Sequence, residues 1–197
     1  MPGPLVEETI ETVTFSELFG NSNPVEVEIG CGRGKFLVAR SQENPDINFL
    51  GIDRAGRWMK RGVKRAGNQG LTNIRFIKGE ARRFLSESVA AETVSIFHIY
   101  FPDPWPKRRH HGRRTVDVDL LRLLCSRLLP GGLIEIATDD LDYFMAIKKS
   151  IAVTAELWRR VRETESERIF VASAKTNYEL KYEAAGKPLY YAELVKK

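Results

Sequence analysis

The chain has few cysteines, few histidines and no long apolar run. Cys31 and Cys125 are its only cysteines. Two are too few for the disulfide framework of a small secreted domain, and a reducing, cytoplasmic compartment is expected. With them, His98, His110 and His111 make no metal-ligand spacing, so no metal site is expected. No apolar stretch approaches the roughly 20 residues that span a bilayer, and no membrane partner is expected. The segment MPGPLVEETIETVTF is acidic and lacks a basic stretch followed by an apolar block, which argues against a secretory signal. Internal repeats and low-complexity segments are also missing.

What is present is a regular alternation of strand and helix patterns. PVEVEIG reads as a strand ending at Gly30, and GKFLVARSQEN as the helix after it. INFLGID is a second strand, followed by the helix RWMKRGVKRAGNQG with glycines closing it. NIRFIKG is a third strand. TVSIFHIYF is a fourth, apolar almost throughout, as expected of a strand covered on both faces, with His98 buried in it beside a partner. VDLLRLLCSRLL reads as a helix stopped by Pro130, Gly131 and Gly132. LIEIATDD is a fifth strand and LDYFMAIKKSIAV its helix. The polar stretch from Thr164 to Ala174 reads as a loop. The tail TNYELKYEAAGKPLYYAELVKK gives a short helix, a turn and a last strand, LYYAELV. This alternation predicts an α/β fold: a doubly wound, mostly parallel, Rossmann-like sheet with helices on both faces. One domain is expected over residues 1–197, with residues 1–23 as an N-terminal extension.

In such a sheet, ligands bind beyond the carboxyl ends of the strands. Gly30, Gly32 and Gly34 lie at the first strand-to-helix turn, where glycine permits positive φ and close approach to the backbone. A dinucleotide loop usually reads G-x-G-x-x-G. This one reads G-x-G-x-G and follows Glu28, a carboxylate that disfavours a diphosphate and suits a cation. Asp53 ends the second strand, where an acid accepts from ribose hydroxyls; a helix N-cap is the other reading. Glu80 ends the third and suits either an adenine amino group or a helix start. Together these acids favour S-adenosylmethionine, which is cationic and has no phosphate, over a dinucleotide.

The fourth strand runs into FPDPWPKRRHHGRR. Pro102 and Pro104 restrict the backbone on either side of Asp103. A fixed carboxylate beside Trp105 suits a planar base: a purine stacks on an aromatic ring, and the guanine edge presents two adjacent donors. Lys107 to Arg114 then carries five Lys or Arg and no acid within a chain of net charge +5, a pattern suited to a nucleic-acid backbone. A second basic set, Arg54, Arg57, Lys60, Arg61, Lys64 and Arg65, falls in a helix; a solvated polar face accounts for it as well as an acidic partner does. Asp139 and Asp140 end the fifth strand, and either can cap the helix that follows.

VEIGCGRGKF, NPDINFLGID, FPDPWPKRRHHGRR, ATDD and TNYELKYEAAGKPLY occur in this order from about Val25 to Lys197. Together they resemble the bacterial tRNA (guanine-N7)-methyltransferase family. The resemblance implies a class I, S-adenosylmethionine-dependent methyltransferase sheet and a variable-loop guanosine in tRNA as the target. It implies cofactor contacts from Glu28, Asp53 and Glu80, with the turn of Gly30, Gly32 and Gly34. It also implies that Asp103 serves both cofactor binding and catalysis. Lys107 and Asp139 match substrate-binding positions, as do Thr176, Asn177, Tyr178 and Glu179. Arg109, His110, His111, Gly112, Arg113 and Arg114 match the RNA contact. Residues 101–114 are thus expected to form a substrate loop, and 176–197 a substrate motif with the last strand. Both a monomer and a homodimer are compatible with the sequence. Two other functions fit less of it. Methyltransferases acting on an exocyclic amine of adenine or cytosine place a second proline where Trp105 stands. A non-catalytic RNA-binding module would not need an acid at every strand end.

Overall fold

The computed structural model describes residues 5–7, 14–170 and 174–197. Most of the N-terminal extension's acidic segment lies outside them. Eight strands form one sheet: β1 (Leu5–Glu7), β2 (Val25–Ile29), β3 (Asn48–Asp53), β4 (Ile74–Lys78), β5 (Val94–Tyr100), β6 (Leu128–Thr138), β7 (Trp158–Glu165) and β8 (Tyr190–Lys196). Their order is β1-β4-β3-β2-β5-β6-β8-β7. The strands from β1 to β6 pair in parallel, and β8 runs antiparallel to both β6 and β7.

The helices are α1 (Phe15–Phe19), α2 (Lys35–Glu43), α3 (Gly56–Asn68), α4 (Ala81–Ser88), α5 (Val118–Arg127), α6 (Leu141–Val153) and α7 (Asn177–Ala184). They cover both faces of the sheet. On one, Leu85 of α4, Leu120 and Leu124 of α5, and Tyr143 and Ile147 of α6 share a core with Val27, Ile52, Ile99 and Ile136. On the other, Phe36 and Leu37 of α2 and Met59 and Ala66 of α3 meet Phe49, Phe76, Tyr100 and Tyr191. The doubly wound sheet expected from the alternation is therefore present.

Three features differ from the sequence reading. β1 adds a short strand beside β4. β7 turns WRRVRETE into an edge strand, and Thr164 and Glu165, expected in a loop, end it. An edge strand needs no apolar face on both sides, and charge along it blocks pairing with other chains. Finally, α5 ends at Arg127, and β6 begins at Leu128 and runs through Pro130, Gly131 and Gly132. The register shift between Val94 and Ile96 accommodates that turn.

Candidate active site at the crevice between β2 and β5

The strand order places the fold's crevice between β2 and β5. From β2 the chain proceeds through β3 to β4 on one side, and from β5 to β6 on the other. Their connecting helices, α2 and α5, pack on opposite faces. A gap opens where the two connections diverge, and two predicted loops meet there.

The glycine turn follows β2. Gly30, Gly32 and Gly34 have φ of 80°, 51° and 60°. They differ in what surrounds them. A Cβ on Gly34 would lie 2.6 Å from the Phe76 ring, so this glycine lets α2 sit close to the sheet. A Cβ on Gly30 would meet nothing within 4 Å, so this part of the turn faces open space. Asp53 ties the turn down: its Oδ2 accepts from Gly32 N at 2.8 Å and its Oδ1 from Ala55 N at 2.7 Å. The cap residue of α3 is Ala55, so Asp53 is not the N-cap. Each carboxylate oxygen has a further lone pair for a hydroxyl donor.

Glu28 is buried beneath the turn, and its Oε2 has no hydrogen-bond partner. Burial pushes its carboxyl up to about 8, with nearby Asp53 adding to the rise and His98 opposing it. An orphaned buried carboxyl beside an open glycine turn fits a ligand that brings its own cation. A second carboxylate, Asp53, half-exposed at the next strand end, fits the hydroxyls of a nucleoside. The residues present therefore fit S-adenosylmethionine. Glu80 is placed differently. It is the N-cap of α4, accepting from Arg82 N at 3.2 Å and Arg83 N at 2.8 Å, and it meets Arg54 at 3.3 Å. Of its two readings, helix capping is the one the structure occupies.

A buried network stands behind Glu28. In register, Glu28 pairs with His98, and His98 with Glu135. His98 Nε2 lies 3.0 Å from Glu26 and Nδ1 3.0 Å from Glu135, while Arg40 donates to both Glu26 oxygens at 2.8 and 3.0 Å. Burial alone would lower the imidazole, but the hydrogen bonds to Glu135 and Glu26 raise it to about 9. His98 is thus a buried imidazolium with a carboxylate on each nitrogen. The same partners draw Glu26 and Glu135 below the carboxylate range, against their burial.

The second loop follows β5. Phe101 and Trp105 both have positive φ, 51° and 48°, an uncommon state for bulky residues. Between them Pro102, Asp103 and Pro104 form an arch with the Asp103 side chain exposed. Asp103 has no hydrogen bond or ion pair among the described residues. Such strain persists where the surroundings over-determine it, characteristically at functional sites. Here the brace is Arg114, which is buried. Its Nε donates to the Pro104 carbonyl at 2.8 Å, its Nη2 to Asp142, and its guanidinium lies over the Tyr143 ring. Arg114 therefore departs from the expected RNA contact: its cation is held inside the protein. The rest of the run is more open. Arg108–Arg113 form a 3-10 turn, with Lys107, Arg109, Gly112 and Arg113 exposed and His110 and His111 half-buried. Trp105 braces this turn, with His110 edge-on at 5.8 Å and Arg113 over its ring at 5.0 Å.

The end of β6 and the start of α7 complete the rim. Asp140 caps α6 by accepting from Tyr143 N at 2.7 Å, which leaves Asp139 for another role. The Tyr182 hydroxyl donates to Asp139; burial and that carboxylate both raise the phenol above its usual range. Asn177 accepts from Lys35 Nζ at 2.7 Å, joining α7 to the first residue of α2. Tyr178 is 55% exposed, 6.1 Å from the Phe101 ring. Thr176 and Glu179 form a capping box, and Glu179 is buried, accepting from Arg168 Nε at 2.7 Å and the Tyr191 hydroxyl at 3.3 Å. Of the four motif residues, then, Asn177 and Tyr178 are exposed and Thr176 and Glu179 hold the helix. Sequence reasoning missed Arg168 and Tyr182. The Thr-x-x-Glu spacing is itself a capping signature, but nothing local marks Arg168 as its partner. Among the described residues, no group of His, Cys, Asp or Glu is placed to hold a metal, and no helix is long and apolar enough to cross a membrane.

Comparison with known proteins gives the family and the fold. A tRNA (guanine-N(7)-)-methyltransferase of Nitrosomonas eutropha is 39% identical over 131 residues, 66% of this chain and 58% of that one. One of Geobacter metallireducens is 29% identical over 185 residues, 94% of this chain and 88% of that one. The chain spans under two thirds of the length of the relatives it matches at 37–41% identity, 43% in the case of Streptomyces avermitilis. Among solved structures, the 16S rRNA methyltransferase KamB has a TM-score of 0.66 at 17% identity, covering 93% of each chain, a likeness of fold. The profile of the family described as "Putative methyltransferase" matches residues 22–192. That match takes in the glycine turn, the Asp103 arch and α7, and the chain belongs to this methyltransferase family.

Proposed function

We propose that this chain is a tRNA (guanine-N7)-methyltransferase that uses S-adenosylmethionine. The observation that carries the reading is the meeting of two loops at one crevice. The open glycine turn, with the unpartnered Glu28 beneath it, follows β2, and the unpartnered Asp103 follows the adjacent β5. A cytoplasmic location goes with this substrate.

In this reading Glu28 takes the cationic end of the cofactor, the backbone of Gly30 and Gly32 lies against it, and Asp53 accepts from its ribose. Glu80 shapes the adenine side through its cap on α4. When bound, the cofactor supplies an electrophilic methyl group on a sulfonium. Guanine N7 offers an in-plane lone pair and carries no proton, so the site needs no general base. Asp103 accepts from the N1–H and N2–H₂ edge of guanine, fixing the base in the crevice. Its carboxylate then stabilises the positive charge that the ring gains on N7 methylation. Asp103 acts through position and charge, and the arch between Phe101 and Trp105 fixes both before substrate arrives. Tyr178 and Phe101 offer aromatic faces to a base swung out of the tRNA. Lys107, Asp139 and Asn177 serve the substrate side. Arg109, His110, His111, Gly112 and Arg113 follow the backbone.

Nucleoside analysis of tRNA methylated by the protein tests the reading. The expected product is 7-methylguanosine; a methylated exocyclic amine of adenine or cytosine as the sole product would replace the N7 assignment.

A further inference from the structure

A second concentration of positive charge lies away from the Asp103 loop. From Arg54 to Gly79 the sequence contains eight Lys or Arg and no Asp or Glu. Arg57, Lys60, Arg61 and Lys64 are exposed on α3, and Arg57, Arg61 and Lys64 fall on one face at i, i+4 and i+7. A solvated helix face normally interleaves signs, as the Arg83–Glu87 pair does on α4. None of these four cations, nor exposed Arg33, has an ion pair among the described residues. Arg54 at the helix entrance does meet a carboxylate, Glu80.

The guanidiniums also converge. Arg33, Arg57 and Arg61 lie 4.9, 4.8 and 5.8 Å from the ring centroid of half-buried Trp58. The indole attracts each of them, but three like charges around one ring repel one another, and an anion relieves that repulsion. The position of α3 indicates which anion. A Cβ on Gly62 would lie 3.1 Å from the Arg33 carbonyl, so the helix sits directly against the glycine turn. α3 follows β3, the Lys107–Arg113 turn follows β5, and β2 lies between those strands. The two basic segments therefore flank the crevice.

We propose that the exposed face of α3, together with Arg33 and Trp58, is a second anchoring surface for the phosphate backbone of the RNA whose base enters the crevice. This rests on the tRNA reading above. Two arms on opposite sides of the crevice fix the orientation of a long polyanion, which a single basic loop leaves free to pivot.

The test compares wild type with the triple variant Arg57→Gln/Lys60→Gln/Arg61→Gln, measuring binding of unmodified tRNA over a range of salt. The slope of log K against log salt is expected to flatten by about 2–3, from roughly 0.7–0.9 per phosphate contact. The KM for tRNA should rise about tenfold, with kcat at saturating tRNA within about twofold of wild type. An unchanged slope and KM would overturn the proposal and leave α3 as a solvated face. Arg57→Lys/Arg61→Lys keeps the charge and should keep the slope; a loss equal to that of the glutamine variant would also overturn it. Cofactor affinity by calorimetry verifies the fold. If the triple variant fails that control, Lys60→Glu/Lys64→Glu carries the same test, since neither side chain has a polar partner among the described residues. Failure of the underlying tRNA reading looks different, because wild type itself would then neither bind nor methylate tRNA.

Discussion

Arg114 Nε donates to the Pro104 carbonyl at 2.8 Å, linking the end of the basic run to the arch that presents Asp103. The same guanidinium reaches Asp142 on α6 and lies over Tyr143. Phe101 and Trp105, in their left-handed conformations, cost about 1–3 kcal/mol each. Arg114 is the visible anchor that holds the arch against that strain. Arg114→Ala should lower kcat more than it raises the tRNA KM. Losing the charged donor to a partly buried carbonyl should also reduce stability by about 1–3 kcal/mol. Arg113→Ala, at an exposed position, should instead raise the tRNA KM and leave the melting temperature unchanged. Steady-state kinetics and thermal melts of the two variants separate bracing from backbone contact.

The glycine turn makes a second separation. Gly34→Ala places a methyl against Phe76 in addition to its strained φ, and should destabilise by about 2–4 kcal/mol. Gly30→Ala meets no neighbour and should cost only about 1–2 kcal/mol, from its positive φ. Its methyl nevertheless projects into the space assigned to the cofactor. Calorimetry should therefore find cofactor binding lost in Gly30→Ala while its melting temperature falls by only about 2–8 °C, less than that of Gly34→Ala.

Glu28 gives a pH dependence. Burial holds its carboxyl at about 8, so it is mostly protonated at neutral pH. A cationic ligand prefers the carboxylate, so cofactor affinity should strengthen as pH rises towards 8 and level off above it, with a proton released on binding. Calorimetry in buffers of different ionisation enthalpy measures that proton. Glu28→Gln should bind weakly with a nearly flat profile from this site. For ligand-free stability the sign is opposite. A carboxyl raised from 4.5 favours the folded state most below that value, and its contribution falls as pH rises through about 8.

Much of this arrangement was legible in the sequence. The burial of β3 and β5 shows as apolar runs, and Val25, Val27 and Ile29 mark β2 even though buried Glu26 and Glu28 interrupt it, so the order of turns carrying Gly30, Asp53 and Asp103 could be read directly. The edge strand β7 could not. Arg159, Arg160 and Arg162 interrupt any apolar pattern, and the strand exists because β8 supplies a partner in space. The role of Arg114 was hidden for a related reason: in sequence it is one more cation in a basic run, and only the fold brings Pro104, Asp142 and Tyr143 around it. Glu80 and Asp140 show the local ambiguity of acids at strand ends, where a cap and a ligand contact demand the same residue type. Asp139 and Asp140 were separable only once the hydrogen bond to Tyr143 N singled out the cap.

His98 tests the buried network. Its imidazolium is held by Glu26 and Glu135, so its stabilising contribution is full below 6.5 and is lost as pH rises through about 9. His98→Leu removes a cationic partner from two buried carboxylates, leaving Glu26 with Arg40 and Glu135 with the Tyr100 hydroxyl, and should cost about 3–5 kcal/mol. It should also push the Glu28 carboxyl higher, since His98 is the charge that opposes its rise. Denaturant unfolding across that pH window, compared with the variant, measures both the loss and its pH dependence.

The most direct measurement is strand cleavage at 7-methylguanosine. Unmodified tRNA is incubated with the protein and S-adenosylmethionine, then reduced and cleaved chemically at 7-methylguanosine, with Asp103→Ala as the parallel sample. The expected result is cleavage at one variable-loop guanosine with wild type and its near-loss with Asp103→Ala, whose cofactor affinity stays measurable. Methyl incorporation without cleavage, or equal cleavage with both proteins, would contradict the roles assigned to the crevice and to Asp103.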